Sequence, residues 1–356
     1  MTMTSRERVL AAINHEEPDR VPIILGTSNT TTMKMKPYRR LKEHLGIRAE
    51  ESYIYDWPEL GSAVLDEDTL QRLHSDARGV LDRFPEETYQ RNRNRPPGAP
   101  FIDDWGLGQI EIEPGVWFPG LHPMAEAQTL ADIERYPWPD MNDPSRVAHI
   151  KEQAKRLAEE NHYAIIATPW LLFPFERANA LMGMENFLPQ LMVNRDFAQA
   201  LLLKITDLCK TLMEHILREL GDHIDIIKIG DDLGTQESLL ISPKMYREIL
   251  KPIHADYINF IKQRTKAKVF FHTDGDVFDL IDDFIEIGVD ILNPIQTSAG
   301  KMANLKELKK RYGKLLCFCG AIDTQHILPL GSPEEVHQEV KRVIHISLWI
   351  ILMDLT

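Results

Sequence analysis

Five short apolar runs share one design: HYAIIATPW (162–170), IDIIKIGDD (224–232), AKVFFHTDG (267–275), VDILNPIQ (289–296) and LLCFCGAID (315–323). Each is continuous rather than alternating, which is the pattern of a strand buried on both faces. Between them lie stretches with apolar residues at three- and four-residue spacing, such as NFLPQLMVNRDFAQALLLKITDLCKTLMEHILREL and SPKMYREILKPIHADYINFIKQ, the period of helices covering a sheet. Strand and helix in alternation predict an α/β fold with a parallel sheet.

Every run also ends alike, in polar residues: Thr168, Asp231 and Asp232, His272 and Asp274, Asn293 and Gln296, Asp323. In a β/α barrel the carboxyl ends of the strands build the active site. An open doubly wound sheet would place ligands there too, but with a glycine-rich phosphate loop after an early strand. Neither GxGxxG nor GxxxxGK[ST] occurs. With RVPIILG (20–26) as a first strand, a (β/α)8 TIM-type barrel is the better count. Strands are expected at 21–25, 163–168, 225–230, 267–272, 289–293 and 315–320, in a single domain spanning 1–356. Residues 30–160, rich in proline and tryptophan, read as an irregular insert over the barrel mouth without a core of its own.

Composition narrows the partners. A net charge of −13 argues against nucleic acid, which needs clustered Lys and Arg. No apolar run reaches the length of a membrane span, and the charged N-terminus does not read as a signal peptide. Three cysteines, Cys209, Cys317 and Cys319, make no disulfide framework, as expected of a cytoplasmic protein.

Several segments are similar to the uroporphyrinogen decarboxylase superfamily: RERVLAAINHEEPDRVPIILG, RYPWPD, GDDLGTQ, HTDG, EIGVDILNPIQ and CGAIDTQHILPLGSPEEV. That superfamily holds the decarboxylase of haem synthesis and zinc-dependent methyltransferases that move methyl groups to or from corrinoids or coenzyme M. The resemblance implies a (β/α)8 barrel with its site at the carboxyl ends. The decarboxylase is the poorer match: GTSNTTTMKMKP follows the first strand where that enzyme has an arginine-rich segment, and Arg39 and Arg40 come only later. Asp232 stands where the decarboxylase has a serine. A mouth lined by Asp231, Asp232 and Asp274 would repel a polycarboxylate.

The methyltransferases resemble the chain more closely. Their zinc ligands are an HxC pair and a later cysteine; here the pair is His272-Thr273-Asp274, the His-x-Asp-Gly form of demethylase-type relatives. The closing KRVIHISLWIILMDLT departs from the family, so an atypical C-terminal closure without the family's catalytic tail is expected, WIILMD filling the last strand.

Imidazole and carboxylate suit zinc, at roughly 2.0–2.2 Å, so His272 and Asp274 are read as metal ligands, with Cys319 as a third. Asp and Gly equally favour tight turns. Asp231, Asp232 and Glu237 are read as completing the shell or as catalytic proton donors. Asn293, Gln296, Asp323 and Gln325 are read as substrate contacts, with a helix cap as the alternative for Asp323. Cys317 reads as packing, as do Met182, Met184 and most of Trp105, Trp117, Trp138 and Trp170, one or two of which could line an apolar pocket.

The leading expectation is a zinc-dependent methyltransferase that passes the methyl group of a small substrate to a corrinoid, such as the cobamide of methylcobalamin, on a partner protein. A homodimer is compatible with all of this. The alternatives are a metal-free decarboxylase of uroporphyrinogen or another small carboxylate, and a non-catalytic ligand-binding barrel.

Overall fold

The computed structural model describes residues 2–96, 98–113, 116–170, 173–346 and 350–351. Its strands, in chain order, are β1 (Ala77–Leu81), β2 (Gly108–Glu113), β3 (Val116–Leu121), β4 (Ala164–Thr168), β5 (Ile226–Gly230), β6 (Lys268–His272), β7 (Ile291–Ile295), β8 (Cys317–Gly320) and β9 (Ile350–Ile351). Seven form one sheet in the order β1-β4-β5-β6-β7-β8-β9, every neighbouring pair parallel. The remaining two make an antiparallel hairpin.

Alternation along the strands sorts the core into two layers. One face of the sheet gives Ala77, Ala164, Ile166, Ile226, Phe270, Ile291, Cys317, Cys319 and Ile351, which cluster with Ile24 and with Val9, Ala12 and Ile13 of the helix Ser5–Ile13. Residues of both edge strands, β1 and β9, thus meet in one inner core, as in a sheet curled into a barrel-type arrangement. The other face, with Ile165, Ile227, Ile229, Val269, Phe271, Leu292 and Phe318, packs under the helices in the larger cluster. Helix Arg195–Leu220 alone buries eleven of its side chains there.

Five of the six expected strands appear, each within two residues of its expected ends. The exception is 21–25. No named strand forms there; Ile23 accepts the Asp76 N–H (2.7 Å) and the Leu25 N–H donates to Ser75 Oγ (3.1 Å). The strand beside β4 is β1, from inside the stretch read as an insert. Residues 30–160 therefore supply part of the central sheet. They also carry a small core around Met33, Tyr38 and Leu65, joined by Leu25, and an aromatic cluster of Tyr55, Trp57, Phe84, Tyr89 and Phe101 joined by Trp170. At the other edge, helix Pro333–Ile346 leads to β9, which pairs with β8. Among the described residues, no hydrogen-bonded ladder joins β9 back to β1. Residues 347–349 and 352–356 of the unusual tail lie outside the described residues. No described helix is long and apolar enough to cross a membrane.

Candidate metal centre

At the carboxyl ends of β5 and β6, two backbones approach so closely that one of them must be glycine. A Cβ on Gly230 would lie 2.1 Å from the His272 carbonyl oxygen, the same oxygen that accepts the Asp231 N–H (3.0 Å). The turn after β6 has a similar requirement: Gly275 adopts φ +86°, and a Cβ there would sit 2.4 Å from the Gly234 backbone. These contacts lock the GDD and HTDG segments against each other. The Asp274 N–H donates to Asp232 Oδ1 (3.0 Å), and the Gly275 N–H to Gln296 Oε1 (2.8 Å).

The result brings one ligand atom each of Asp232, His272 and Asp274 within 4.8 Å of one another. His272 is buried and Asp274 half-exposed at the mouth of a cavity of ≈ 420 Å³. Asn293 fixes the imidazole. Its Nδ2 donates to the Cys319 carbonyl (3.4 Å), leaving Oδ1 to accept from His272 Nδ1 (2.7 Å). That places a proton on Nδ1, and Nε2 faces Asp274 Oδ2 at 3.9 Å. In the neutral ring Nε2 carries the lone pair, and a cation between it and the carboxylate would satisfy both. The donor set suits zinc, and a histidine whose other nitrogen donates to a carbonyl oxygen is the usual second layer around such an ion. Ligand atoms ~2.1 Å from a tetrahedral zinc stand about 3.4 Å apart, so a pair at the 4.8 Å limit would draw in by roughly 1.4 Å on binding.

Charge around the triad is dense. Burial pushes the Asp274 carboxyl up, with Asp232 adding to the rise and His272 opposing it. Glu176, in helix Pro174–Met182, is pushed well above the carboxylate range by burial and then by Asp232 and Asp231. Lys228 points from β5 into the same region and is lowered by burial to about 8. It bonds the hydroxyls of Ser28 (3.2 Å) and Thr30.

The other expected site residues divide. Asn293, Gln296 and Gln325 line the cavity. Asp231 faces away from it: fully buried, it accepts the N–H groups of Phe175 (3.0 Å) and Glu176 (2.6 Å) and bonds His254 Nε2 (2.8 Å). It thus caps helix Pro174–Met182. Glu237 is exposed, and its neighbour Gln236 reaches the cavity instead. Asp323 caps its own turn, accepting from the N–H groups of Gln325 (2.7 Å) and His326 (3.0 Å). Cys319 is buried in the inner core beside Cys317 and is outside the clustered triad. No tryptophan is among the described walls of the cavity; Trp170 packs edge-to-face with Tyr55 (4.7 Å between centroids) and Trp105 with Trp138 (6.2 Å).

Sequence reasoning missed the wall made by Asn29, Thr30, Lys34 and Ser62. The TSNTTTMK run, polar directly after an apolar segment, is the signal that could have found it. It also missed Glu176, which follows the end of β4 as the other polar residues follow their strands.

No curated protein sequence matches the chain significantly. Among solved structures, a methyltransferase from Methanosarcina mazei superposes with a TM-score of 0.63 at 17% identity, covering 98% of this chain and 91% of that one. At this identity the likeness establishes the fold alone. The carboxyl transferase domain of Rhizobium etli pyruvate carboxylase with pyruvate and biocytin reaches a TM-score of 0.25 at 12% identity, over 58% of this chain and 32% of that one, too low to bear on function. The sequence profile of uroporphyrinogen decarboxylase (URO-D) matches residues 108–350. That span is well over half of the chain and includes β4 to β8 with all three residues of the triad, and the chain accordingly belongs to the uroporphyrinogen decarboxylase family.

Proposed function

We propose that this protein is a zinc-dependent methyltransferase that removes a methyl group from a small substrate. One observation carries the reading: Asp232, His272 and Asp274 converge at the cavity, with the His272 ring held by Asn293 so that Nε2 faces Asp274. Bound zinc would supply Lewis acidity to the heteroatom that loses its methyl group. Asp232, His272 and Asp274 would hold it. Asn293 sets the imidazole tautomer, and Gln296 fixes the turn that carries Asp274. Gln236, Asn293, Gln296 and Gln325 supply amide contacts to the substrate.

The methyl acceptor is external to the chain. All three cysteines are buried, and burial lifts the Cys317 thiol to about 12, so the cavity wall offers no thiolate of its own. A corrinoid carried by a partner protein is the acceptor that the HTDG and GDDLG motifs suggest. The likeness to a methyltransferase fold is consistent with this reading.

Calorimetric titration of metal-stripped protein with zinc tests the reading. One ion per chain is expected for the wild type and none for His272→Ala. An unchanged isotherm for that variant, or no binding by the wild type, ends it.

A further inference from the structure

Lys34 is badly placed for stability. It occupies the N-cap of helix Met35–Leu45, and no side-chain cap bond forms there. Ser, Thr, Asp or Asn is preferred at that position, and a cation opposes the helix dipole. Its ammonium donates to the Leu60 carbonyl (2.7 Å) and Ser62 Oγ (3.5 Å), which uses two of its three N–H donors. No ion pair to it forms among the described residues, although Lys34 lines the same cavity as His272 and Asp274. Lys34 is exposed overall, and crowding on one side of its ammonium lowers its pKa. A lysine on a cavity wall with an N–H to spare and no ion-pair partner among the described residues can take a carboxylate.

A divalent ion would cancel Asp232 and Asp274. Lys34 is then the one ammonium on the described cavity wall, Lys228 being held behind the hydroxyls of Ser28 and Thr30. Leu60, Pro294 and Ile322 are the apolar part of a wall otherwise made of amides and hydroxyls.

We propose that Lys34 binds the carboxylate of a small, hydrophilic, methylated monocarboxylic acid, whose methylated heteroatom reaches toward Asp232, His272 and Asp274. The substrate class rests on the methyltransferase reading; the Lys34 contact can fail while that reading stands.

Zinc-loaded protein is titrated with methoxyacetate, 3-methoxypropionate and 4-methoxybutanoate and with their neutral amides, followed by calorimetry and ligand-observed NMR. The wild type should prefer at least one acid over its amide by tenfold or more. Lys34→Gln should abolish that preference while changing amide binding less than twofold, and Lys34→Arg should restore it. Thermal melting and zinc titration of each variant separate misfolding or metal loss from loss of the anion contact. Four results overturn the proposal: no acid binds the wild type, acids and amides bind alike, Lys34→Gln keeps the preference as direct carboxylate–zinc binding would, or Lys34→Arg does not restore it. Normal zinc binding alongside any of them leaves the metal centre intact and removes only the substrate assignment.

Discussion

Asn293 touches His272, and through it governs what the imidazole can hold. Replacing it with Leu removes the acceptor for Nδ1–H and frees the ring to rotate, so zinc affinity should weaken by roughly 10- to 100-fold with little change in fold; unchanged affinity in calorimetry would contradict the assigned tautomer. Asp274→Cys restores a thiolate at the second ligand position and should keep or tighten zinc. A different acid, Asp82, reports on stability. Burial raises it to about 7, against the Trp170 N–H and Arg146, which lower it, and Asp104, which adds to the rise; the Tyr55 hydroxyl also bonds it. The folded chain therefore binds this proton more tightly than the unfolded chain does. That contribution is full below the ordinary carboxylate pKa and is lost as pH rises through about 7, by up to ~4 kcal/mol over about three units. Asp82→Asn should flatten this dependence. Urea unfolding at pH 5 and pH 8 checks it: a wild-type-minus-variant difference that is the same at both would refute the assignment.

At the scale of elements, the sequence was readable wherever a strand was buried on both faces. Runs such as AKVFFHTDG announced their strand and their polar end together. β1 was not readable, because ARGVL carries an arginine and a glycine. Both have local reasons: Arg78 pairs with Glu67 and lies over the Tyr163 ring at 3.5 Å, while a Cβ on Gly79 would lie 2.6 Å from Thr27 backbone atoms. The more apolar 21–25 segment took its place in the expectation. Side-chain direction was equally hidden. Asp231 and Asp232 are adjacent, and the chain turns one to a helix N-terminus and the other to the candidate metal site. Asp231→Ala should therefore cost roughly 3–5 kcal/mol, since it strands His254 and two backbone donors in the core. Urea titration measures this; a loss under about 1 kcal/mol accompanied by loss of zinc would put Asp231 in the metal shell instead. Gly230→Ala tests the β5–β6 contact. It should separate the GDD and HTDG segments, lowering stability and zinc binding together, and an unaffected isotherm would show that the close approach is not what holds the triad.

For the whole molecule the question is why a member of the uroporphyrinogen decarboxylase family should not perform that reaction. A tetra-anionic tetrapyrrole needs several cations converging on one large mouth. Here the cavity is ≈ 420 Å³ and its described wall carries one ammonium, from Lys34. Arg39 and Arg40 are exposed on helix Met35–Leu45, and Arg39 is paired with Glu51 (2.7 Å). Asp232 and Asp274 meet any incoming carboxylate with like charge, in surroundings less screening than water. The chain's net charge of −13 gives no long-range attraction to offset this. Zinc would neutralise the two aspartates but could not answer four carboxylates. Incubation with uroporphyrinogen, with and without zinc, should therefore leave the substrate intact by chromatography. Stepwise appearance of products with fewer carboxyl groups would mean that the acidic mouth rearranges on binding, and would return the chain to the decarboxylase activity of its family.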